Sequence, residues 1–269
     1  MNSDAANERR FYDERTERPW LGRFAFGRVA AISRPSPARG GPNQDAAAIF
    51  PVGDTLIAAV ADGLGGGPDG DVASRVALDS LGEALREAGS EDESLRGAVM
   101  NGIERANAAV SRLGSGAMTT LAVIEVRPGS LRCYHVGDSV VMLFGPGGKV
   151  RYETVSHSPV GYGVESGMLD PGEAIWHEQR HLVFNVVGSP EMRIEVGPTL
   201  PLGRRDTVLV ASDGLTDNLH RGELARLATT GRLSAAAATL ADLATTRMAA
   251  GDADQPSKPD DLTLLLFRP

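Results

Sequence analysis

Two helical periodicities stand back to back between residues 70 and 114, with no strand-like run between them. In the first, "DVASRVALDSLGEALREA", Val72, Val76, Leu81 and Leu85 share one face. In the second, Leu95, Val99, Ile103, Ala106, Val110 and Leu113 recur at spacings of three and four, and Gly114 follows as a natural stop. This pair decides how the stretch before it is read. Gly65, Gly67 and Gly70 in "AAVADGLGGGPDGDVAS" match G-x-G-x-x-G, the turn of a dinucleotide-binding fold. That fold needs a parallel strand directly after the first helix, and here a second helix takes its place. Asp62 also stands where a pyrophosphate would be repelled.

Strand-like runs flank the helix pair in blocks. "FGRVAAIS", "AAAIF" and "TLIAAVAD" precede it, and "AMTTLAVIEV", "SLRCYHVGD", "SVVMLFG" and "KVRYETV" follow. "DTVLVASD", an Ala-rich helical stretch over roughly 222 to 249, the polar linker "GDADQPSKP" and a last strand, "DLTLLLF", complete the chain. Blocks of strands and paired helices, without βαβ alternation, argue for an α+β arrangement of packed sheets flanked by helices. Residues 1 to about 20 mix both charge signs and read as a flexible charged leader. Residues 21–269 read as a single domain, with an irregular, Gly- and Pro-punctuated segment at about 156–200.

Composition narrows the function. A formal net charge of −8 disfavours nucleic acid as a partner, because that affinity comes largely from Lys and Arg on phosphates. The only cysteine, Cys133, permits neither an intrachain disulfide nor a cysteine zinc cage. The charged start is unlike a signal peptide and no apolar run reaches membrane-spanning length, so a soluble, cytoplasmic chain with no membrane partner is expected.

Aspartates recur where the apolar runs begin or end: Asp45, Asp62, Asp138, Asp213, and the pair Asp260–Asp261. Asp62, Asp138 and Asp213 each adjoin a glycine. One such aspartate is ordinary turn chemistry. A set of them, brought to one rim by neighbouring strands, would repel and require cations. A donor set of oxygens alone selects hard ions, Mg²⁺ or Mn²⁺ rather than zinc.

The motifs "NQD" (43–45), "ADGLGGGPDGDVAS" (61–74), "GAMTTL" (116–121), "VGDS" (136–139), "ASDGLTD" (211–217) and "DDLTLLL" (260–266) occur in one order. In that order they resemble the successive motifs of the metal-dependent serine/threonine protein phosphatases of type 2C, the PPM family, in its bacterial branch. The resemblance spans about residues 24 to 268. It implies an αββα sandwich, two antiparallel sheets packed face to face with a helix pair outside each. It implies a phosphoric monoester hydrolase that cleaves phosphoserine and phosphothreonine with a hydroxide bridging two Mn²⁺ or Mg²⁺ ions. By that resemblance Asp62 bridges the ions and Gly63 offers its carbonyl, Asp213 and Asp260 hold the second ion, and Asp45 holds metal-bound waters. Asp138 with Asp213 would hold the third ion that bacterial members often bind. The implied partners are phosphorylated proteins, with a serine/threonine kinase acting on the same targets.

The chain departs from the family pattern in three places. Leu64 stands where animal members carry a histidine, so water is the implied leaving-group acid. Asp261 replaces the usual asparagine and is expected to add a carboxylate near the second ion. The phosphate-binding arginine usually lies five residues before the "NQD" aspartate, at Gly40 here, so Arg39 is the candidate, with Arg34 behind it. A pseudophosphatase serving as a binding or regulatory module is the alternative, though such chains usually lose metal aspartates and this one keeps the core set. "HEQRH", His177 to His181, matches the H-E-x-x-H zinc pattern without room for a long supporting helix and reads as surface. His157 and His135 read as loop and strand residues.

Overall fold

The computed structural model describes residues 8–64, 69–88, 92–251 and 254–269. Gly65 and Gly67 therefore lie outside the described residues. The strands are β1 (Arg9–Tyr12), β2 (Trp20–Phe24), β3 (Gly27–Arg34), β4 (Asp45–Val52), β5 (Thr55–Asp62), β6 (Leu121–Arg127) and β7 (Ser130–Val136), then β8 (Val140–Phe144), β9 (Val150–Glu153), β10 (Glu195–Val196), β11 (Leu200–Pro201), β12 (Thr207–Ala211) and β13 (Leu262–Arg268). The helices are α1 (Gly70–Ala88), α2 (Asp92–Ser111), α3 (Pro159–Glu165), α4 (Pro171–Ala174), α5 (Asp213–Thr216), α6 (Arg221–Thr229) and α7 (Leu233–Ala250). One sheet runs β1-β4-β5-β6-β7-β10, with β11 also on β7, and the other runs β2-β3-β13-β12-β8-β9. The pairings are antiparallel. Because β6 returns antiparallel to β5 after the two helices, there is no βαβ unit here and the dinucleotide reading falls.

The strands are apolar on both faces because both faces are covered. In β5, Leu56, Ala58 and Val60 face the layer between the sheets, against Val29, Val208, Val210 and Phe267. The alternate residues Ile57, Ala59 and Ala61 face outward onto α1 and α2, against Ala77, Leu81, Val99 and Ile103. On the second sheet, Leu209, Leu264 and Leu266 face α7 through Leu240 and Ala244. Three apolar layers separate four layers of secondary structure, the αββα sandwich. Each fully buried Leu, Val or Ile contributes about 1.5–3 kcal/mol of transfer free energy.

Two expectations are corrected. Residues 9–12 are not part of a flexible leader: β1 pairs along β4, Arg9 to Ile49 through Tyr12 to Ala46. Phe11 is 1% exposed in the layer between the sheets and stacks edge-on against Trp20. Arg10 and Tyr12 reach Asp79 on α1, so alternation along the strand buries the aromatic and ties the charges outside. The Ala-rich stretch over 222–249 is two helices, broken at Thr230–Arg232, where Gly231 takes φ +70°.

Candidate active site

Antiparallel pairing brings the start of one strand beside the end of the next, and this gathers the strand-end aspartates. Asp45 begins β4 and Asp62 ends β5, and the two are direct cross-strand partners. On the other sheet Asp213 follows β12, Asp260 precedes β13, and Asp138 precedes β8, whose Val140 pairs with Ala211. The sheets are joined at this rim by Ser212, whose hydroxyl donates to Asp45 Oδ2 at 2.6 Å.

The backbone around Asp62 is fixed by the "GAMTTL" segment. The Thr120 N–H and the Thr119 hydroxyl both donate to the Asp62 carbonyl at 2.8 Å, and the Asp62 N–H donates to Thr120 Oγ1 at 3.0 Å. Leu64 is held by its N–H on the Met118 carbonyl. Gly63 must be glycine, since a Cβ there would lie 2.2 Å from the Gly70 carbonyl oxygen. Gly214 is tighter still, at 1.9 Å from the Asp261 carbonyl oxygen, which lets α5 press Asp213 against the start of β13.

The electrostatics of the rim follow from this crowding. Burial, and then the neighbouring carboxylates, hold Asp62 well above the usual carboxylate range, the neighbours being Asp45, Asp213, Asp260 and Asp138. Burial also raises Asp45 well above that range, against the lowering effect of Ser212. Asp138 is pushed up to about 8 by burial and by Asp213 and Asp217. Asp217 and Asp260 are pushed up to about 6, by burial first and by Asp213 second.

Such a cluster fits a hard divalent cation. The buried Asp45 Oδ1 has no hydrogen-bond partner among the described residues, and the converging donors are carboxylate oxygens with no thiolate or imidazole among them. Beside the rim a cavity of about 470 Å³ is lined by Asp138, Asp213 and Asp217 together with Val155, Val160 and Ile175.

Several expected roles come out differently. Asp261 adds its charge beside Asp45, but its carboxylate is already engaged by protein donors. Its carboxylate accepts the N–H groups of Ser36 at 2.7 Å and Gln44 at 2.8 Å and pairs with Arg39 Nη2 at 2.6 Å. The Asp260 and Asp261 carboxylates both meet the same Arg39 Nη2, but Asp261 is taken up by the two backbone N–H groups and the guanidinium. Arg39 is thereby held beside the site, 3.5 Å from Asp260 Oδ1, with its side chain 38% exposed. Arg34 instead donates to Thr16, Glu17 and Asp242, on the side of the outer helix α7.

The histidines stay outside the site. His177 caps a single 3₁₀ turn, Glu178–His181, accepting from the Gln179 N–H, so "HEQRH" has no α-helix to aim two imidazoles. His157 Nδ1 accepts from the Gly137 N–H and from Asn185, which leaves the proton on Nε2, donated to Glu195 at 3.1 Å. With both nitrogens so engaged, His157 has no lone pair for a metal, although it stacks on His135 at 4.4 Å beside Glu195. Cys133 is 1% exposed and burial pushes its thiol up to about 12, which suits a core residue and not a nucleophile.

Two members of the cluster lay outside the sequence reading. Asp217 is one helical turn after Asp213, and that i, i+4 spacing in "SDGLTD" was its available signal. Lys258, from the polar linker, pairs with Asp213, with Asp217 at 2.9 Å and with Asp260 at 3.6 Å.

The family model for protein phosphatase 2C matches residues 36–250. The chain belongs to the protein phosphatase 2C family. It is 30% identical over 184 residues to the protein phosphatase PhpP of Streptococcus pneumoniae, across 66% of this chain and 74% of the relative. A serine/threonine phosphatase of Listeria welshimeri is 28% identical over 192 residues, across 68% and 75%. Among solved structures, the serine/threonine phosphatase of S. agalactiae superposes with a TM-score of 0.77 at 26% identity, covering 89% of this chain and 98% of that one. The catalytic domain of PstP, solved in complex with 2 manganese ions, superposes at 0.70 with 25% identity, covering 90% and 97%. This family membership accords with the fold and with an acidic rim suited to cations. Among the described residues no helix is long and apolar enough to cross a membrane.

Proposed function

We propose that this chain is a metal-dependent protein phosphatase that hydrolyses phosphoserine and phosphothreonine at the rim of Asp45, Asp62, Asp138, Asp213 and Asp260. The observation that carries this reading is the convergence of those carboxylates, from strand ends of both sheets, in a chain of the phosphatase 2C family. Asp62, the Gly63 carbonyl, Asp213 and Asp260 would hold two Mn²⁺ or Mg²⁺ ions, with Asp45 ordering the water around them. When bound, such ions lower the pKa of water towards neutrality and offset charge on the phosphoryl oxygens.

The residues themselves supply position and charge. Thr119 and Thr120 lock the Asp62 backbone, and Ser212 fixes one oxygen of Asp45 so that the other stays free. Arg39, anchored on Asp261, presents its guanidinium at the edge, where it grips the substrate phosphate. With Leu64 in place of an imidazole, the leaving alkoxide takes its proton from water. Substrates are phosphorylated proteins, and a serine/threonine kinase supplies them.

Arg39→Ala tests the phosphate contact. Loss of one charge-assisted contact, about 1.5–3 kcal/mol, is expected to lower kcat/KM on a phosphothreonine peptide roughly ten- to a hundredfold, mainly through KM. A kcat/KM within twofold of wild type would remove Arg39 from phosphate binding. The activity itself is tested with phosphoserine, phosphothreonine and phosphotyrosine peptides in Mn²⁺. Phosphate release from the first two supports a phosphatase, whereas phosphopeptide binding without release would make the chain a binding module.

A further inference from the structure

Lys258 is built into the acidic rim. Its ammonium contacts Asp213 Oδ2, lies 2.9 Å from Asp217 Oδ2 and 3.6 Å from Asp260 Oδ2, and its side chain is 21% exposed. The backbone of Lys258 is clamped by Asn218, a buried residue directly after Asp217. The Lys258 N–H donates to Asn218 Oδ1 at 2.8 Å, and the Lys258 carbonyl accepts from Asn218 Nδ2 at 2.9 Å. Asn218 Nδ2 also donates to the Gly214 carbonyl at 2.9 Å. One turn of chain thus presents Asp213 and Asp217 and holds the lysine backbone facing them. Pro259 next in the chain restricts Lys258 to extended conformations, which narrows its reach further. A lysine on a solvated linker has no such constraints.

The carboxylates that hold the ammonium are not those of the core alone. The contacts to Asp213 and Asp217 are closer than the one to Asp260, and Asp138, which lines the same cavity as Asp213 and Asp217, feels the charges of both and of Lys258. That corner, between Asp138 and Asp213, is where the family resemblance implies a third divalent ion. A divalent ion entering between Asp213 and Asp217 would meet the like charge of the ammonium at contact distance and be repelled by it.

We propose that the Lys258 ammonium takes the place of that third ion: the chain carries a covalently attached cation at the Asp138–Asp213–Asp217 corner and binds divalent ions only in its core. This rests on the two-ion reading of the site given above. It makes Lys258 a positioning residue, which holds Asp213 through its Oδ2 at the edge of the core. A fixed single charge at that corner would also make this phosphatase less dependent on high metal concentration than relatives that must recruit an ion there.

The test counts ions. Metal-stripped full-length protein is titrated with Mn²⁺ by calorimetry, and bound manganese is measured after equilibrium dialysis. The expected result is two ions in wild type and three in Lys258→Met, the added one weaker, with two again in Lys258→Arg and in Lys258→Met combined with Asp138→Ala. Lys258→Gln provides a second neutral variant if the methionine variant melts early. Three ions in wild type, or two in both neutral variants, would overturn the proposal. Two ions bound more tightly in Lys258→Met would also overturn it, since the lysine would then compete with the core. Failure of wild type to bind Mn²⁺ at all would strike the two-ion reading itself.

Discussion

Asp62→Asn is expected to lower kcat on a phosphothreonine peptide by about a thousandfold or more at saturating Mn²⁺ while leaving the protein folded. Removing a single preorganised charge-stabilising group costs on the order of a hundred- to a thousandfold, and Asp62 is placed to do more, because its neighbours at the rim are Asp45, Asp213, Asp260 and Asp138. The backbone of Asp62 is held by Thr119 and Thr120 and not by its own carboxylate, so the substitution changes charge without moving the strand end. Asp213→Asn should be similarly severe and should also loosen Lys258, which it anchors. Without metal, Asp62→Asn should melt above wild type, because it removes a buried carboxylate that must either ionise among like charges or keep a proton the unfolded chain has released. His177→Ala and His181→Ala, on an exposed 3₁₀ turn, should leave kcat within about twofold as surface substitutions do. Near wild-type kcat in Asp62→Asn would exclude it as a metal ligand.

Metal-free protein is expected to lose stability as pH rises from about 4 to 8. The sign follows from the raised carboxylates. Asp138 at about 8 and Asp217 and Asp260 at about 6 keep protons in the folded state that the unfolded chain, at 3.8, has released. Through these carboxylates the folded state binds more protons across this window and the free energy of unfolding falls with pH, with only His135 and Glu223 among the described residues, both lowered, acting in the opposite sense. Asp45 and Asp62, also raised, act in the same direction as the other carboxylates of the rim. Lys258 does not contribute, since its pKa lies above its ordinary 10.5 and it is fully charged in both states across the window. At roughly 2–4 °C per kcal/mol, the metal-free melting temperature should fall by about 5–15 °C between pH 5 and 8. Mn²⁺ at a hundredfold over its dissociation constant adds about 2.7 kcal/mol per site and should restore most of that loss at pH 8, with little effect at pH 5. Thermal melts at four pH values, with and without Mn²⁺, check it. A flat metal-free profile would mean that the carboxylates do not repel one another.

The sandwich was legible because both faces of its strands are buried. Runs such as "TLIAAVAD" then stay apolar along their whole length, and the two amphipathic helices between β5 and β6 leave no parallel crossover. β1 was not legible, because Phe11 is a lone buried aromatic among charges whose partner strand begins at Asp45. The aspartates of the rim were legible one by one as strand ends beside glycines. Their meeting depended on strand order, which only the motif sequence supplied. Asp261 could not be judged from sequence, because the Ser36 and Gln44 N–H groups and Arg39 that engage its carboxylate come from more than 200 residues earlier. Lys258 was out of reach, since nothing local in "PSKPDD" says that Asn218, forty residues earlier, holds its backbone against Asp213 and Asp217.

The central claim is that the carboxylate rim works only by holding hard divalent ions. Its most direct test is phosphate release from a phosphothreonine peptide by protein stripped of metal, then reloaded separately with Mn²⁺, Mg²⁺ or Zn²⁺. The expected result is no turnover when stripped and recovery with Mn²⁺ or Mg²⁺ but not with Zn²⁺ alone. Full activity in the stripped protein, or rescue by Zn²⁺ alone, would contradict it.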